Sequence, residues 1–387
     1  MPAPLQQRNL AEAALYLDKQ EDVGRFLEEI SAVDELALDT EGASFHRFLD
    51  RIYLLQISTR EKSAIIDPLP IGSPPRLGEL LQSPSVEIVF HDADYDLRLL
   101  HQDYGWHVTN IFDTRIAAQL LGIKSFGLAA LLEQYFDVRL DKKHQRADWS
   151  MRPLTDDMLE YAAQDTRYLL QLKDHMESEL EQKGRLQWAR EEFARLEGTR
   201  WEAEGSMEGF LRLKGARDLT RRELAVLREV ANWRDTVAAN LDRATFRVMG
   251  NEVLFELARR APRSVSELSA IKGMPKGMIE RGGAEIIAAV RRGMEAPEAE
   301  LPRFPRGQRW NKDADFDARV SRLKSVRDET ATRLELDPGV LCSRERLENV
   351  ARSGARTINQ LETVPELRKW QVEAMGAGFL RVLDQNP

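Results

Sequence analysis

Cysteine is all but missing from this chain: Cys342 is the single one in 387 residues. One thiol closes no intramolecular disulfide and offers no thiolate cluster for structural zinc, so a reducing, cytoplasmic setting is expected. No apolar run is long enough to span a membrane. The opening MPAPLQQRNLAEAALYL also lacks the basic-then-apolar order of a secretory signal. An excess of positive charge is absent too. The net charge of −8 argues against blanket electrostatic binding to nucleic acid, while leaving room for local basic surfaces or contact through a metal. What remains is the composition of a soluble globular protein, 42% hydrophobic and 31% charged, in a chain long enough for two or three domains.

Within that composition, Leu36-Ala37-Leu38-Asp39-Thr40-Glu41 reads as a short buried strand ending in two carboxylates. Side chains alternate along a strand, so Asp39 and Glu41 share a face. Such a pair repels and is costly to desolvate; it either stays in water at a strand end or is neutralised by a cation. Alone, so short a pattern favours the first reading, and acids arriving at fitting positions downstream favour the second. Residues 13–17, 52–57, 63–66 and 86–90 also read as strands, and residues 21–30, 77–81, 112–121 and 128–135 as helices. Together they predict a mixed sheet covered by helices.

Asp92, Asp94 and Asp96 fall at the start of a further helix, beginning near Ala93. Asp92 and Asp96 share one face of it, while Asp94 suits a cap or dipole partner. Residues 141–153, DKKHQRADWSMRP, read as a polar loop carrying Lys142, Lys143, His144, Arg146 and Arg152 around Trp149. Cations for phosphate and a ring for a base make Trp149 and Arg152 candidates for single-strand contact. The plainer alternative is a surface loop whose tryptophan plugs the core. Thr155-Asp156-Asp157 then opens a helix with Tyr161 and Asp165 on one face and Met158, Ala162, Leu169 and Leu170 as its apolar stripe. Residues 177–197 read as a charged helix leading away from this domain.

Asp39, Glu41, Asp96 and Asp165 are hard oxygen donors, suited to Mg2+ or Mn2+ rather than to zinc. Two such ions roughly 4 Å apart can clamp an in-line phosphoryl displacement, and a tyrosine hydroxyl can hold the attacking water in line. The stretches LALDTEG, HDADYDLRLL, RADWSMRPLT and YAAQDTRYLL, in that order, closely resemble the DEDD-type 3′–5′ exonucleases. Tyr161 resembles the subgroup that has tyrosine rather than histidine at that position. The resemblance implies an α/β ribonuclease-H-like exonuclease domain over residues 1–205, a mixed sheet flanked by helices. It further implies that Asp39, Glu41 and Asp165 hold the ion serving the attacking water, and that Asp39 also reaches a second ion. Asp96 would act on that second ion and Tyr161 would orient the water. Asp92 stands where many relatives carry a neutral residue; Asp96 is the favoured ligand, because Asp-Leu continues the family pattern.

Beyond residue 205 the chain reads as helical throughout and repeats itself. A constant offset of 93 pairs Arg234-Asp235 with Arg327-Asp328, Leu241 with Leu334, Leu254 with Leu347, Ala258 with Ala351, Leu268 with Leu361 and Glu280 with Glu373. This predicts two small all-α helical bundles, residues 210–295 and 315–387, joined by a Pro-rich linker over 296–314. Both resemble the HRDC domain, which is associated with nucleic-acid binding. The first copy holds 17 Lys and Arg against 11 Asp and Glu, the second 12 against 12. Ile271-Lys272-Gly273-Met274-Pro275-Lys276-Gly277 offers free amides and two lysines to a phosphate, which makes Lys272 and Lys276 candidate RNA contacts. In the second copy Glu366 and Trp370 replace the glycines, so that copy is expected to be structural or to shape the substrate path.

The expectation is a monomeric 3′–5′ exoribonuclease with two divalent ions, Mg2+ or Mn2+, that releases nucleoside 5′-monophosphates and has no membrane partner. That its RNA is a tRNA precursor comes from the resemblance alone. The same chemistry on DNA or on RNA generally is the nearest rival. A non-catalytic nucleic-acid-binding adaptor on a decayed nuclease fold is the rival of another class, and the complete acid set argues against decay.

Overall fold

Leu36, Ala37 and Leu38 are fully excluded from solvent, as a central strand between two helical layers must be. The computed structural model describes residues 14–141, 143–202, 209–305 and 315–384. Its strands are β1 (Leu15–Leu17), β2 (Glu35–Glu41), β3 (Leu54–Ser58), β4 (Ser63–Ile66), β5 (Glu87–Phe90) and β6 (Ile111–Asp113). They form one six-stranded sheet in the order β1-β4-β3-β2-β5-β6. Within it β3 runs antiparallel to β2 and β4, while the pairs β1–β4, β2–β5 and β5–β6 are parallel.

The helices of this region are α1 (Gln20–Glu29), α2 (Pro68–Ile71), α3 (Pro75–Leu81), α4 (Asp94–Tyr104), α5 (Thr114–Leu121), α6 (Leu128–Phe136), α7 (Asp156–Arg167), α8 (Leu169–Gln182) and α9 (Leu186–Leu196). Strand alternation sends Leu36 and Leu38 into a core with α1, α3 and α4. Ala37 points the other way, into a core with α5, α8 and α9. Further along the strand, α7 lies over β2, β3 and β4. The mixed sheet between helical layers is the expected one. Some boundaries differ. Phe112 belongs to β6, and α5 starts only at Thr114, because the Asp113 carboxylate caps it through the Arg115 and Ile116 amides. A three-residue strand is too short to show alternation. The helix expected to run on from Thr155 breaks at Tyr168, and the next break is at Gly184, with φ +66°. Ala13 lies outside the described residues.

The remaining helices are α10 (Arg221–Leu241), α11 (Thr245–Val248), α12 (Asn251–Arg260), α13 (Val265–Ser269) and α14 (Lys276–Glu295), then α15 (Phe316–Leu334), α16 (Pro338–Leu341), α17 (Arg344–Ser353), α18 (Ile358–Glu362) and α19 (Lys369–Asp384). The sequence repeat is a structural one, since α11 to α14 begin 93 residues before α16 to α19 respectively. Even the arginine contact recurs: Arg234 bonds Asp235 and Asn251, and Arg327 bonds Asp328 and the Cys342 carbonyl. Ala296 and Leu301 pack on Ala225, and Arg217 lies 4.7 Å over the Phe304 ring, so this part of the expected linker is laid onto the first bundle. Residues 306–314 of it lie outside the described residues. Among the described residues no helix is long and apolar enough to cross a membrane.

Both bundles touch the α/β region, in different ways. The first has its own core. It meets the segment after Glu41 through the Arg47–Asp242 ion pair (3.1 Å), the Phe45–Phe246 edge contact (6.3 Å) and an Arg247 bond to the Phe45 carbonyl. The second is continuous with the core behind Ala37. It is seated on α9, where Trp370 stacks on Trp188 at 5.1 Å. Glu191 accepts from the Lys369 and Trp370 amides (2.8 and 3.0 Å), and Glu192 accepts from the Trp370 indole (2.8 Å). Thus α9 does not lead away from the α/β region; it is the seat of the second bundle.

Candidate active site

The ladder between β2 and β5 runs from Glu35 to Ala37, so β2 continues past its parallel neighbour. Its other edge stays paired with β3 as far as Glu41. Backbone groups on the open edge then need partners. Asp96, in the first turn of α4, supplies one: its carboxylate accepts from the Thr40 amide at 3.0 Å and from the Thr40 hydroxyl at 2.5 Å. Asp96 is thereby fixed beside the strand between Asp39 and Glu41. Thr40, an unremarked residue between two acids, is what positions the third; its place within the motif is the signal that could have found it.

Asp165 arrives from α7. Thr155 caps that helix, Ala162 and Ala163 pack toward Leu54 and Ile65, and the Thr166 hydroxyl bonds Ser58 at 2.8 Å. These contacts hold α7 against the sheet in a single register. Carboxylate oxygens of Asp39, Glu41 and Asp165 all lie within 4.8 Å of one another. Asp96 stands beside this triplet, close enough to act electrostatically on Glu41 and Asp165.

Among the described residues nothing of opposite charge compensates the cluster. Burial first, then the Asp165 charge, hold the Asp39 carboxyl well above the usual carboxylate range. Burial followed by the charges of Asp39, Asp165 and Asp96 does the same to Glu41. Asp96 is raised by burial and by Asp39, against the hydrogen bonds from Thr40. Asp165 is pushed up to about 7 by burial and by Asp96. Among the described residues, every charge acting on these four is another acid. Such a set needs protons or cations, and its all-oxygen donors fit a hard divalent ion. The Tyr161 hydroxyl is also raised, by burial and then by Asp165, Glu41 and Asp39, so it stays protonated and keeps both donor and acceptor capacity.

The other expected site residues fall differently. Asp92 has left-handed backbone (φ +68°) and pairs with Arg115, which separates it from the cluster. Asp94 pairs with Arg98 one turn on and makes no side-chain cap. Trp149 and Arg152 are corrected. Trp149 is 1% exposed and packs with Leu54, Ile65 and the Tyr161 ring, so it offers no face to a base. Arg152 spends its guanidinium on Asp67 and on the carbonyls of Tyr53, Trp149 and Met151. The loop is stapled to the sheet, and it backs Tyr161. Lys272 and Lys276 are exposed on the first bundle, beside Gly273 at φ +83°.

Residues 15–181 match the family model described as 3′–5′ exonuclease, and residues 223–290 and 316–383 each match the HRDC domain. Ribonuclease D of Nitrobacter hamburgensis is 30% identical over 89% of this chain and 88% of its own length. Protein RRP6-like 2 of Arabidopsis thaliana is 31% identical over 76% of this chain, which spans only 35% of that longer protein. The crystal structure of Escherichia coli RNase D, described as an exoribonuclease involved in structured RNA processing, aligns with a TM-score of 0.74 at 27% identity, covering 97% of this chain and all of that one.

Proposed function

Because the chain belongs to the ribonuclease D family of 3′–5′ exoribonucleases, we propose that it trims the 3′ ends of structured RNA, tRNA precursors foremost, releasing nucleoside 5′-monophosphates in the cytoplasm as a monomer. The observation that carries this reading is the uncompensated triplet Asp39, Glu41 and Asp165, with Asp96 fixed beside it. In the proposal these four residues hold two Mg2+ or Mn2+ ions, which when bound supply Lewis acidity at the scissile phosphate and its leaving oxygen. Asp39 and Glu41 present their carboxylates from one rigid strand face, and Asp165 closes the set from α7. Tyr161, neutral and backed by Trp149, orients the attacking water through its hydroxyl. Lys272 and Lys276 hold the RNA backbone at a distance from the chemistry.

The test is degradation of 3′-labelled tRNA precursor, generic RNA and DNA with Mg2+, Mn2+ or EDTA. Mononucleotide release from RNA is expected with either metal and none with EDTA. Asp39→Asn is expected to abolish turnover while leaving the chain folded and most RNA binding intact. An Asp39→Asn protein that cleaves like wild type defeats the mechanism. A wild type that releases no mononucleotide with either metal defeats the enzyme reading.

A further inference from the structure

Gln56 lies in β3 directly across from Asp39. Opposed residues of an antiparallel pair project to the same face, with their Cβ atoms roughly 5 Å apart. Gln56 is fully buried, and among the described residues it is the one whose amide nitrogen and amide oxygen both lack any hydrogen-bond partner. Its same-face neighbours along β3, Leu54 and Ser58, pack against α7, Ser58 through Thr166, which follows Asp165. The amide therefore sits in the layer between β2, β3 and α7, at the edge of the acid cluster. Buried polar groups are nearly always paired, and an orphan of this kind calls for an explanation. Leu54 on the same face is apolar and packs with Ala162 and Ala163, so an apolar residue would serve packing alone.

We propose that Gln56 is a positioning residue for the acid set. Its NH2 donates to the Asp39 carboxylate when the site holds a divalent ion, and fixes the rotamer in which Asp39 meets that ion. This rests on the reading of the acids given above. The residue type suits the task, because an amide donates without charge. A lysine there would compete with the cation, and a further carboxylate would add repulsion. Partners of this sort orient metal ligands, and their loss commonly weakens ion binding by ten- to a hundredfold.

Gln56→Met in the full chain keeps the volume and removes the amide. Calorimetric titration with Mn2+, without RNA, is expected to show affinity about tenfold weaker than wild type. The thermal midpoint in EDTA should be equal or higher, because an unpaired polar group has gone. Unchanged Mn2+ affinity overturns the proposal. Asp39→Asn, titrated in parallel, separates the two readings. If it loses Mn2+ binding while Gln56→Met does not, only the role of Gln56 falls; if it binds Mn2+ like wild type, the acid site itself is wrong. Should the Met variant misfold, wild-type protein labelled with 15N-glutamine serves, with the Gln56 side-chain resonances assigned from Gln56→Glu. Movement of those resonances on Mg2+ addition supports the contact, and static resonances overturn it.

Discussion

Ionised Asp39, Glu41, Asp96 and Asp165 repel one another, so in the absence of divalent ions the folded chain keeps protons that the unfolded chain gives up. Asp165 is raised to about 7 and the others are raised with it, against unfolded values of roughly 4. Between those limits the folded state binds more protons, so stability falls as pH rises. In EDTA the thermal midpoint should therefore drop between about pH 5 and pH 8. Saturating Mg2+ should restore it at the upper end and add little at the lower, and Asp165→Asn should flatten the profile; calorimetry at several pH values checks all three. Asp67 has the opposite sign. Burial alone would raise its carboxyl, but hydrogen bonds from Arg152, Tyr16 and the Leu69 amide, with the Arg152 charge, hold it below the ordinary range. Its contribution is complete above roughly pH 4 and is lost as pH falls through the depressed folded value. Asp67→Asn should remove that acid-side loss from the urea-denaturation profile. These residues also show what a sequence conveys. Carboxylates two apart on a strand can share only one face, so Asp39 and Glu41 were readable. Arg152 was not, because cations around an aromatic look alike whether they meet a phosphate or a buried aspartate.

At the scale of elements, the turn before the last helix of each bundle has been put to two uses. In the first copy it carries Gly273 at φ +83° and leaves Lys272 and Lys276 exposed. In the second, Glu366 takes up the same left-handed backbone (φ +64°), at about 1 kcal/mol, and its carboxylate pairs with Arg368 and Arg195. Trp370, in place of the second glycine, fills the seat on Trp188. Trp370→Ala should cost about 3–5 kcal/mol, read by denaturant titration. The repeat was legible because helices keep their spacing and the offset of 93 never slips. The docking was not, because it joins faces whose residues lie far apart in the chain. Nor was β6, whose three residues are too few to alternate.

For the whole molecule, the first bundle is tied to the segment that leaves β2, and the second is built into the wall behind it. In the proposed function RNA holding falls to the first. Lys272→Glu with Lys276→Glu should weaken binding of single-stranded RNA and flatten the log–log salt dependence by about 1.4, two phosphate contacts at 0.7 each. Filter binding across a salt series checks it, and cleavage of a short oligonucleotide should hardly change. The shared core carries one more consequence. Phe316, Leu336, Trp370 and Phe379 stand in the same apolar body as Ala37, Phe112 and Phe193. While the chain is being synthesised, everything around Asp39 has left the ribosome with an oily flank still bare, and residues 316–383 are the cover it waits for. A chain cut short before Phe316 should therefore bind more of a hydrophobic dye than the full chain, and equal dye binding would show that the flank closes without its cover.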